Sequence, residues 1–290
     1  MDWRILNYQA ADPAWNMAVD EAILTGYLEE KSPPTLRFYG WSPATVSIGY
    51  FQDVEREINI DNLRFKGYGL VRRNTGGRAV LHDRELTYSV VSGVKEGLPA
   101  SLKESYLYIS RVLADALQVL GVMVELNHGA GKHAASGACF EAPSWYELTV
   151  KGRKLVGSAQ YRHKGSFLQH GSILLSFSAS DLKSVLNIPS EFSGSFIEKI
   201  QDKVCSLEEL GIKLEPAELA SQIIRSFGKL YGIIFRQGEL TNIEMELAHS
   251  LVKNKYACNG WNYKPGKTNS QLRFNGIQAR NGDLNEILYR

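Results

Sequence analysis

Three segments of the 290-residue sequence carry residue types that could do chemistry. The first is Val71-Arg72-Arg73-Asn74-Thr75-Gly76-Gly77-Arg78-Ala79-Val80-Leu81-His82-Asp83. Adjacent glycines free backbone N–H groups to meet a carbonyl oxygen or phosphate, and the arginines add charge-assisted donors. A tight hairpin with solvated arginines fits the same residues. The second is Ser136-Gly137-Ala138-Cys139-Phe140-Glu141-Ala142-Pro143-Ser144-Trp145. Most single cysteines behave as small buried hydrophobes, which suits Cys205 and Cys258, next to or within expected helices. A loop of small residues instead leaves the Cys139 thiol open to react. The third runs from Lys151 to Gln160, where Lys154 begins the return strand of a hairpin. Gly157, Ser158 and Ala159 follow it, and small residues in a strand leave room for a ligand. Turn lysines are more often simply solvated, but with Gln169-His170-Gly171-Ser172 on the next strand the segment reads as a site wall.

Other patterns fail on spacing. Gly260 to Thr268 resembles a phosphate loop, but it has one residue too many between its glycines, and Trp261 and Tyr263 would obstruct the cradle. Gly129 to Ala134 nearly matches a dinucleotide fingerprint, yet no amphipathic helix follows. His128 and His133, like His163 and His170, lack a helical i, i+4 spacing, and no second cysteine lies near, so no zinc site is expected.

The elements that must position these segments follow from periodicity. Asp12-Pro13 starts a helix that runs to about Glu30, stopped by Ser32-Pro33-Pro34. Thr35 to Tyr39, Thr45 to Tyr50, Gly69 to Arg72 and Leu86 to Ser92 read as strands. Ser101 to Glu104 has the capping-box pattern and opens a helix closed by Gly121. Val122 to Leu126 is an expected strand. Trp145 to Val150 and Lys154 to Tyr161 are expected to pair around Lys151-Gly152-Arg153, which sets Val150 opposite Lys154. Phe167 to Phe177 is a further strand. Helices are expected over Leu182 to Leu186, Ser206 to Leu210 and Glu218 to Tyr231, and from Thr241 to about Tyr256. Strands in the middle and helices at the end predict an α+β fold rather than a doubly wound sheet.

Composition narrows the function classes. Lys plus Arg is 33 and Asp plus Glu is 31, a net charge of +2 that excludes a polycationic nucleic-acid coat and an acidic disordered tail. The apolar share of 44% and charged share of 22% are those of an ordinary globular chain. Three widely spaced cysteines make no disulfide framework and fit a reducing compartment. Asp2, Arg4, Asp12, Asp20 and Glu21 leave no signal-peptide core. No apolar run approaches the roughly 18 residues that span a bilayer. A cytoplasmic protein without nucleic-acid or membrane partners is expected.

Taken together, the phrases Arg37-Phe38-Tyr39-Gly40-Trp41, Arg72-Arg73 through His82-Asp83, Cys139 through Leu148, Gly157-Ser158-Ala159-Gln160 and Gln169 through Leu175 resemble the biotin/lipoate ligase-like catalytic fold. More narrowly, the chain is similar to octanoyl-acyl-carrier-protein:protein octanoyltransferases of the LipM type over about residues 3 to 263. Asn74 and Ala79 stand where that pattern has Pro and Gly. The resemblance implies mixed, mostly antiparallel sheets flanked by helices, a catalytic domain over 1–263, and a tail over 264–290 with no counterpart. It implies a ping-pong mechanism in which Cys139 carries an octanoyl thioester and Lys154 lowers the thiol's pKa. Octanoyl-acyl carrier protein would be the donor, and a lipoyl-domain lysine, typically of the glycine cleavage H protein, the acceptor. No cofactor or metal is implied. Arg72, Arg73, Thr75, Gly76, Gly77, His82, Gly157, Ser158, Ala159, His170 and Gly171 would form the substrate-binding walls.

Elementary chemistry agrees with those roles. A free thiol titrates near about 8.5, and a neighbouring ammonium favours the thiolate. Thioester exchange is nearly neutral and amide formation downhill, so no nucleotide is required. An octanoyl tail of about six methylenes gains about 5 kcal/mol in an apolar tunnel. Arg72, Arg73, Arg78, Lys151, Arg153, Arg162 and Lys164 form a candidate docking face for acidic carriers. Cys139 meets Lys154 only if the intervening loop folds back over the sheet, to within about 10 Å. An ATP-dependent lipoate–protein ligase, a lipoyl amidotransferase and a silent acyl- or biotin-binding protein are the competing readings.

Overall fold

A computed structural model describes residues 1–127 and 147–263. Its strands are β1 (Asp2–Ala11), β2 (Thr35–Trp41), β3 (Thr45–Ile48), β4 (Gly69–Arg72), β5 (Val80–His82), β6 (Glu85–Gly93), β7 (Glu125–Asn127), β8 (Glu147–Val150), β9 (Arg153–His163), β10 (Ser166–Leu174) and β11 (Ile234–Gln237). One large sheet has the order β11-β1-β2-β6-β10-β9-β8-β7, and a small one the order β4-β3-β5. The β11-β1, β1-β2 and β3-β4 pairings are parallel and the others antiparallel. The expected α+β class, with mixed and mostly antiparallel sheets flanked by helices, is what the chain adopts.

Period-two alternation gives the large sheet two different faces. Leu36, Phe38, Leu86, Tyr88, Val90, Leu148, Val156, Phe167 and Ile173 point one way into the main core. The helices Leu102–Val119 and Pro216–Tyr231 cover that face with Ile109, Val112, Leu113, Ile223 and Phe227. The opposite face carries Arg37, Tyr39, Thr87, Ser89, His170 and Ser172, which neighbour one another across the β2-β6-β10 ladder. The helix Pro13–Leu28 lies on part of that face, packing Met17, Val19 and Ile23 in one cluster with Tyr39, Trp41, Val91 and Leu168. Its start is set as the sequence predicts. Asp12 Oδ1 accepts from the Ala14 N–H at 2.8 Å, and Pro13 fills the first helical position, where no N–H is needed.

Several expectations are revised, and the strands β1 and β11, which have no simple alternation, answer to no expected element. In β1, Trp3, Arg4 and Ile5 are all buried, Arg4 because its guanidinium meets Glu244 at 2.5 and 2.6 Å. Ser206 to Leu210 is turn, not helix. The Val122 to Leu126 strand shrinks to Glu125–Asn127, and Lys183 rather than Leu186 lies near the end of a helix spanning Ala179–Ser184. The β8-β9 hairpin pairs Val150 with Arg153 and Thr149 with Lys154, not Val150 with Lys154. Lys151 (φ 50°) and Gly152 (φ 76°) alone form its turn. Two successive residues with positive φ suit the twist of a two-residue hairpin loop, so Arg153 joins the strand.

Candidate active site

The Gly-Gly segment is a loop folded around an arginine. The Arg73 N–H donates to the Ile48 carbonyl at 2.9 Å, and the Tyr50 N–H donates to the Thr75 carbonyl at 2.9 Å, so the loop stays attached to the end of β3. Arg73 Nη2 donates to the carbonyls of Gly76 and Arg78 at 3.0 and 3.1 Å, while Nη1 donates to the Ser47 carbonyl at 2.9 Å. Gly77 has φ 92°, a conformation that favours glycine. The loop also presses on Gly49, where an added Cβ would overlap the Gly77 carbonyl. Among the described residues the Gly76 and Gly77 N–H groups make no hydrogen bond.

Arg72 is fully buried and ties the chain's later segment to this loop. It donates to the carbonyls of Gly49, Gln52, Trp261 and Asn262 at 2.7–3.0 Å. Burial pulls its pKa to about 10, which keeps it cationic at neutral pH. Arg73 therefore holds the loop's own backbone, and Arg72 ties residues 49–52 beside the loop to residues 261–262. With exposures of 0% and 5% they cannot belong to a docking face, which corrects that expectation for Arg72 and Arg73. Arg153 binds Glu209 and the Val204 carbonyl. Lys151 and Lys164 of the expected face are exposed.

Thr75, His82 and His170 meet around the same loop. His170 Nε2 lies 2.7 Å from Thr75 Oγ1, and its Nδ1 lies 3.5 Å from Asp20 Oδ2. His82 bridges Ser47 Oγ (2.6 Å) and Glu85 Oε1 (2.7 Å), and its ring stacks on Trp41 at 4.2 Å. Glu85 Oε1 also accepts from Ser172 Oγ at 2.7 Å. Burial would raise the Glu85 pKa, but His82 and the Thr87 and Ser172 hydroxyls outweigh it and hold the carboxyl below its ordinary range.

Lys154 reaches the polar face of the large sheet through a register shift. Thr149 pairs with Lys154 but Leu148 with Val156, so Leu155 is an extra residue on β9. The bulge lets Leu155 and Val156 both enter the main core while Lys154 turns to the other side. There its Nζ lies 2.5 Å from Glu147 Oε1, and both side chains are 5% exposed. Gly157 pairs with Ser172 and Ala159 with His170, on this same face. Ser158 and Gly171 point the opposite way. Ser158 Oγ bonds the Tyr88 hydroxyl at 2.7 Å, and an added Cβ at Gly171 would crowd Tyr88 and Ser158. The structure thus brings Lys154, Gly157, Ala159, His170, His82, Thr75 and the Gly76-Gly77 loop to one side of the sheet, but not the Ser158 side chain, and Gly171 faces the other side. Cys139 and its meeting with Lys154 lie outside the described residues. Cys205 is buried, which raises its pKa to about 11 and keeps the thiol protonated.

Asp20, Glu85 and Glu147 escaped the sequence reading as site residues. A carboxylate inside an otherwise apolar helical repeat was the available signal for Asp20. Among the described residues, no group of three His, Cys, Asp or Glu could hold a metal ion, and no helix is long and apolar enough to cross a membrane.

Residues 12–228 match the lipoyl protein ligase A/B catalytic domain. The chain is 47% identical over 265 residues to the octanoyltransferase LipM of Moorella thermoacetica, covering 89% of this chain and 97% of that one. It is 42% identical over 272 residues to the octanoyltransferase LipM of Bacillus subtilis, covering 90% and 98%. The fold matches lipoate-protein ligase A bound with ATP (TM-score 0.76, 26% identity, 91% and 99% covered). It also matches a bipartite lipoate protein ligase from Thermoplasma acidophilum (TM-score 0.76, 26% identity, 92% and 98% covered). The chain belongs to the LipM octanoyltransferase family, within the lipoyl protein ligase A/B catalytic domains.

Proposed function

We propose that the protein moves an octanoyl group from acyl carrier protein to a lysine of a lipoyl domain, typically the glycine cleavage H protein, in lipoate biosynthesis. Residues 1–263 form the catalytic domain in this reading, and the protein works in the cytoplasm. The Cys139 thiolate attacks the carrier thioester, the enzyme thioester forms, and the carrier leaves as its thiol. The acceptor amine then attacks, an amide forms, and the Cys139 thiol returns. Atoms balance without a nucleotide.

The observation that carries the reading is Lys154, buried on the face that also bears Gly157, Ala159 and the Gly76-Gly77 loop. A buried ammonium must be paired to persist, and Glu147 at 2.5 Å supplies the charge. Lys154 in turn favours the thiolate form of Cys139. The open N–H groups of Gly76 and Gly77 suit a thioester carbonyl or its oxyanion. Gly157 and Ala159 leave space for the acyl chain, with His82 and His170 as further walls. Arg73 and Thr75 serve substrate binding by holding the loop, and Arg72 by fixing residues 49–52 beside it.

The solved lipoate ligases of this fold favour a second reading, ATP-dependent ligation. A Cys139→Ser variant separates the two. Loss of octanoyl transfer from carrier to lipoyl domain is expected; retained transfer that depends on ATP would support the ligase, and a lipoyl domain serving as donor in place of carrier would point to an amidotransferase.

A further inference from the structure

The Arg73 guanidinium stands between two chains, each of a carboxylate, an imidazole and a hydroxyl. On one side Asp20 Oδ2 lies 3.5 Å from His170 Nδ1 and His170 Nε2 lies 2.7 Å from Thr75 Oγ1. Arg73 Nε donates to that hydroxyl oxygen at 3.4 Å. On the other side Glu85 Oε1 lies 2.7 Å from His82 Nδ1, and His82 Nε2 lies 2.6 Å from Ser47 Oγ. Arg73 Nη1 donates to Ser47 Oγ at 2.6 Å. Asp20, on the helix Pro13–Leu28, is itself held by Arg37 Nη1 at 2.7 Å, Ser89 Oγ at 2.8 Å and the Tyr39 hydroxyl at 2.9 Å.

Donor counts set the direction of these bonds. Guanidinium only donates, so both hydroxyl oxygens accept from Arg73. A carboxylate only accepts, so the ring nitrogen facing it carries the hydrogen. The charged and titratable groups around His170 are Asp20 from the helix, Arg73 from the loop and His82 from β5. Burial pulls the His170 pKa below the usual 6.5 against the pull of Asp20, and Arg73 and His82 add to the lowering. The ring is neutral at neutral pH, so its Nε2 accepts. The Thr75 hydroxyl proton is thereby committed to His170, and the oxygen's lone pairs face Arg73.

We propose that Asp20 is a positioning residue for acyl transfer: by orienting the His170 ring it directs the Thr75 hydroxyl and so fixes the Arg73-anchored loop that presents Gly76 and Gly77. The link to transfer rests on the reading of that loop as part of the acyl site. The positioning itself does not. In Asp20→Asn the amide can donate to Nδ1, which moves the ring hydrogen to Nε2. The ring then donates to Thr75, whose own proton must turn away from the ring on the side of the Arg73 cation.

Two measurements test this on the full chain. Octanoyl transfer by Asp20→Asn and Thr75→Val is expected to fall about 10- to 100-fold, and Thr75→Ser to recover most of the Thr75→Val loss. The acid limb of the pH–rate profile is expected to lose in His170→Gln the contribution that His170 makes below 6.5, leaving the limb of the Cys139 thiolate, at whatever rate remains. Amide hydrogen exchange over residues 73–78 reads the same loop without substrate. Asp20→Asn and Thr75→Val are expected to speed it about 10-fold, and Thr75→Ser much less. Unchanged exchange overturns the proposal whether or not the wild type transfers octanoyl groups. Wild-type transfer rates in both variants overturn its catalytic part. If the wild type transfers nothing while exchange responds as expected, the activity reading fails and the positioning stands. Should Asp20→Asn not fold, the Thr75 pair decides.

Discussion

Replacing Lys154 by Met, alone and together with Glu147→Gln, separates the charge's stability role from its chemical role. The two side chains meet at 2.5 Å with 5% exposure each, so the single substitution leaves a buried carboxylate without this counter-ion. Breaking a buried pair from one side costs about 3–5 kcal/mol. For a chain of this size that lowers Tm by roughly 6–20 °C. The double variant removes both charges at similar volume, and most of the stability returns. Chemistry does not return with it. Loss of the ammonium leaves the Cys139 thiol nearer its free pKa, about 1–3 units higher, and cuts the thiolate fraction at neutral pH about 8- to 30-fold. Thermal unfolding followed by circular dichroism reads the first effect, and alkylation of Cys139 against pH reads the second. A double variant that regains stability yet transfers octanoyl groups at the wild-type rate would refute the role given to Lys154. A single variant as stable as wild type would refute the buried pair.

Other consequences follow from the loop and its supports. Gly49→Ala forces a Cβ onto the Gly77 carbonyl, and backbone on both sides cannot yield. A loss of about 1–3 kcal/mol with weakened transfer is expected by denaturant unfolding and activity assay. Arg72→Lys keeps the charge but cannot reach the carbonyls of Gly49, Gln52, Trp261 and Asn262 together. It should destabilise nearly as much as Arg72→Ala, which unfolding midpoints would show. Acid stability depends on His170. Its folded pKa lies below the usual 6.5, so the unfolded chain binds the proton first. Stability from this group is full above 6.5 and falls as pH drops from there toward the lowered folded value. His170→Gln should lack that segment of the stability–pH curve; an identical curve would contradict the neutral buried ring.

The sequence showed the elements whose pattern is local. Asp12-Pro13 and Thr241 marked helix starts that the structure reproduces, the latter as a capping box with Thr241 Oγ1 accepting from the Glu244 N–H at 3.2 Å. The Gly-Gly loop, Lys154 and His170 could be grouped as a candidate site because glycines and small residues cluster beside polar ones there. What stayed hidden depends on distant partners. Arg4 inside β1 makes sense only beside Glu244, and Arg72 only beside Asn262. The β9 bulge that turns Lys154 away from the core leaves no mark in its composition. Asp20 and Glu147 read as ordinary charges until the fold sets them against His170 and Lys154. The faces of Ser158 and Gly171 required the β9-β10 register.

The most direct test of the central claim is the intact mass of the protein after mixing with octanoyl-acyl carrier protein in the absence of nucleotide. A gain of one octanoyl group is expected, released by hydroxylamine, mapped to Cys139 and absent in Cys139→Ser. Octanoylation of a lipoyl domain with no such adduct, or an adduct on another residue, would contradict a thioester held at Cys139.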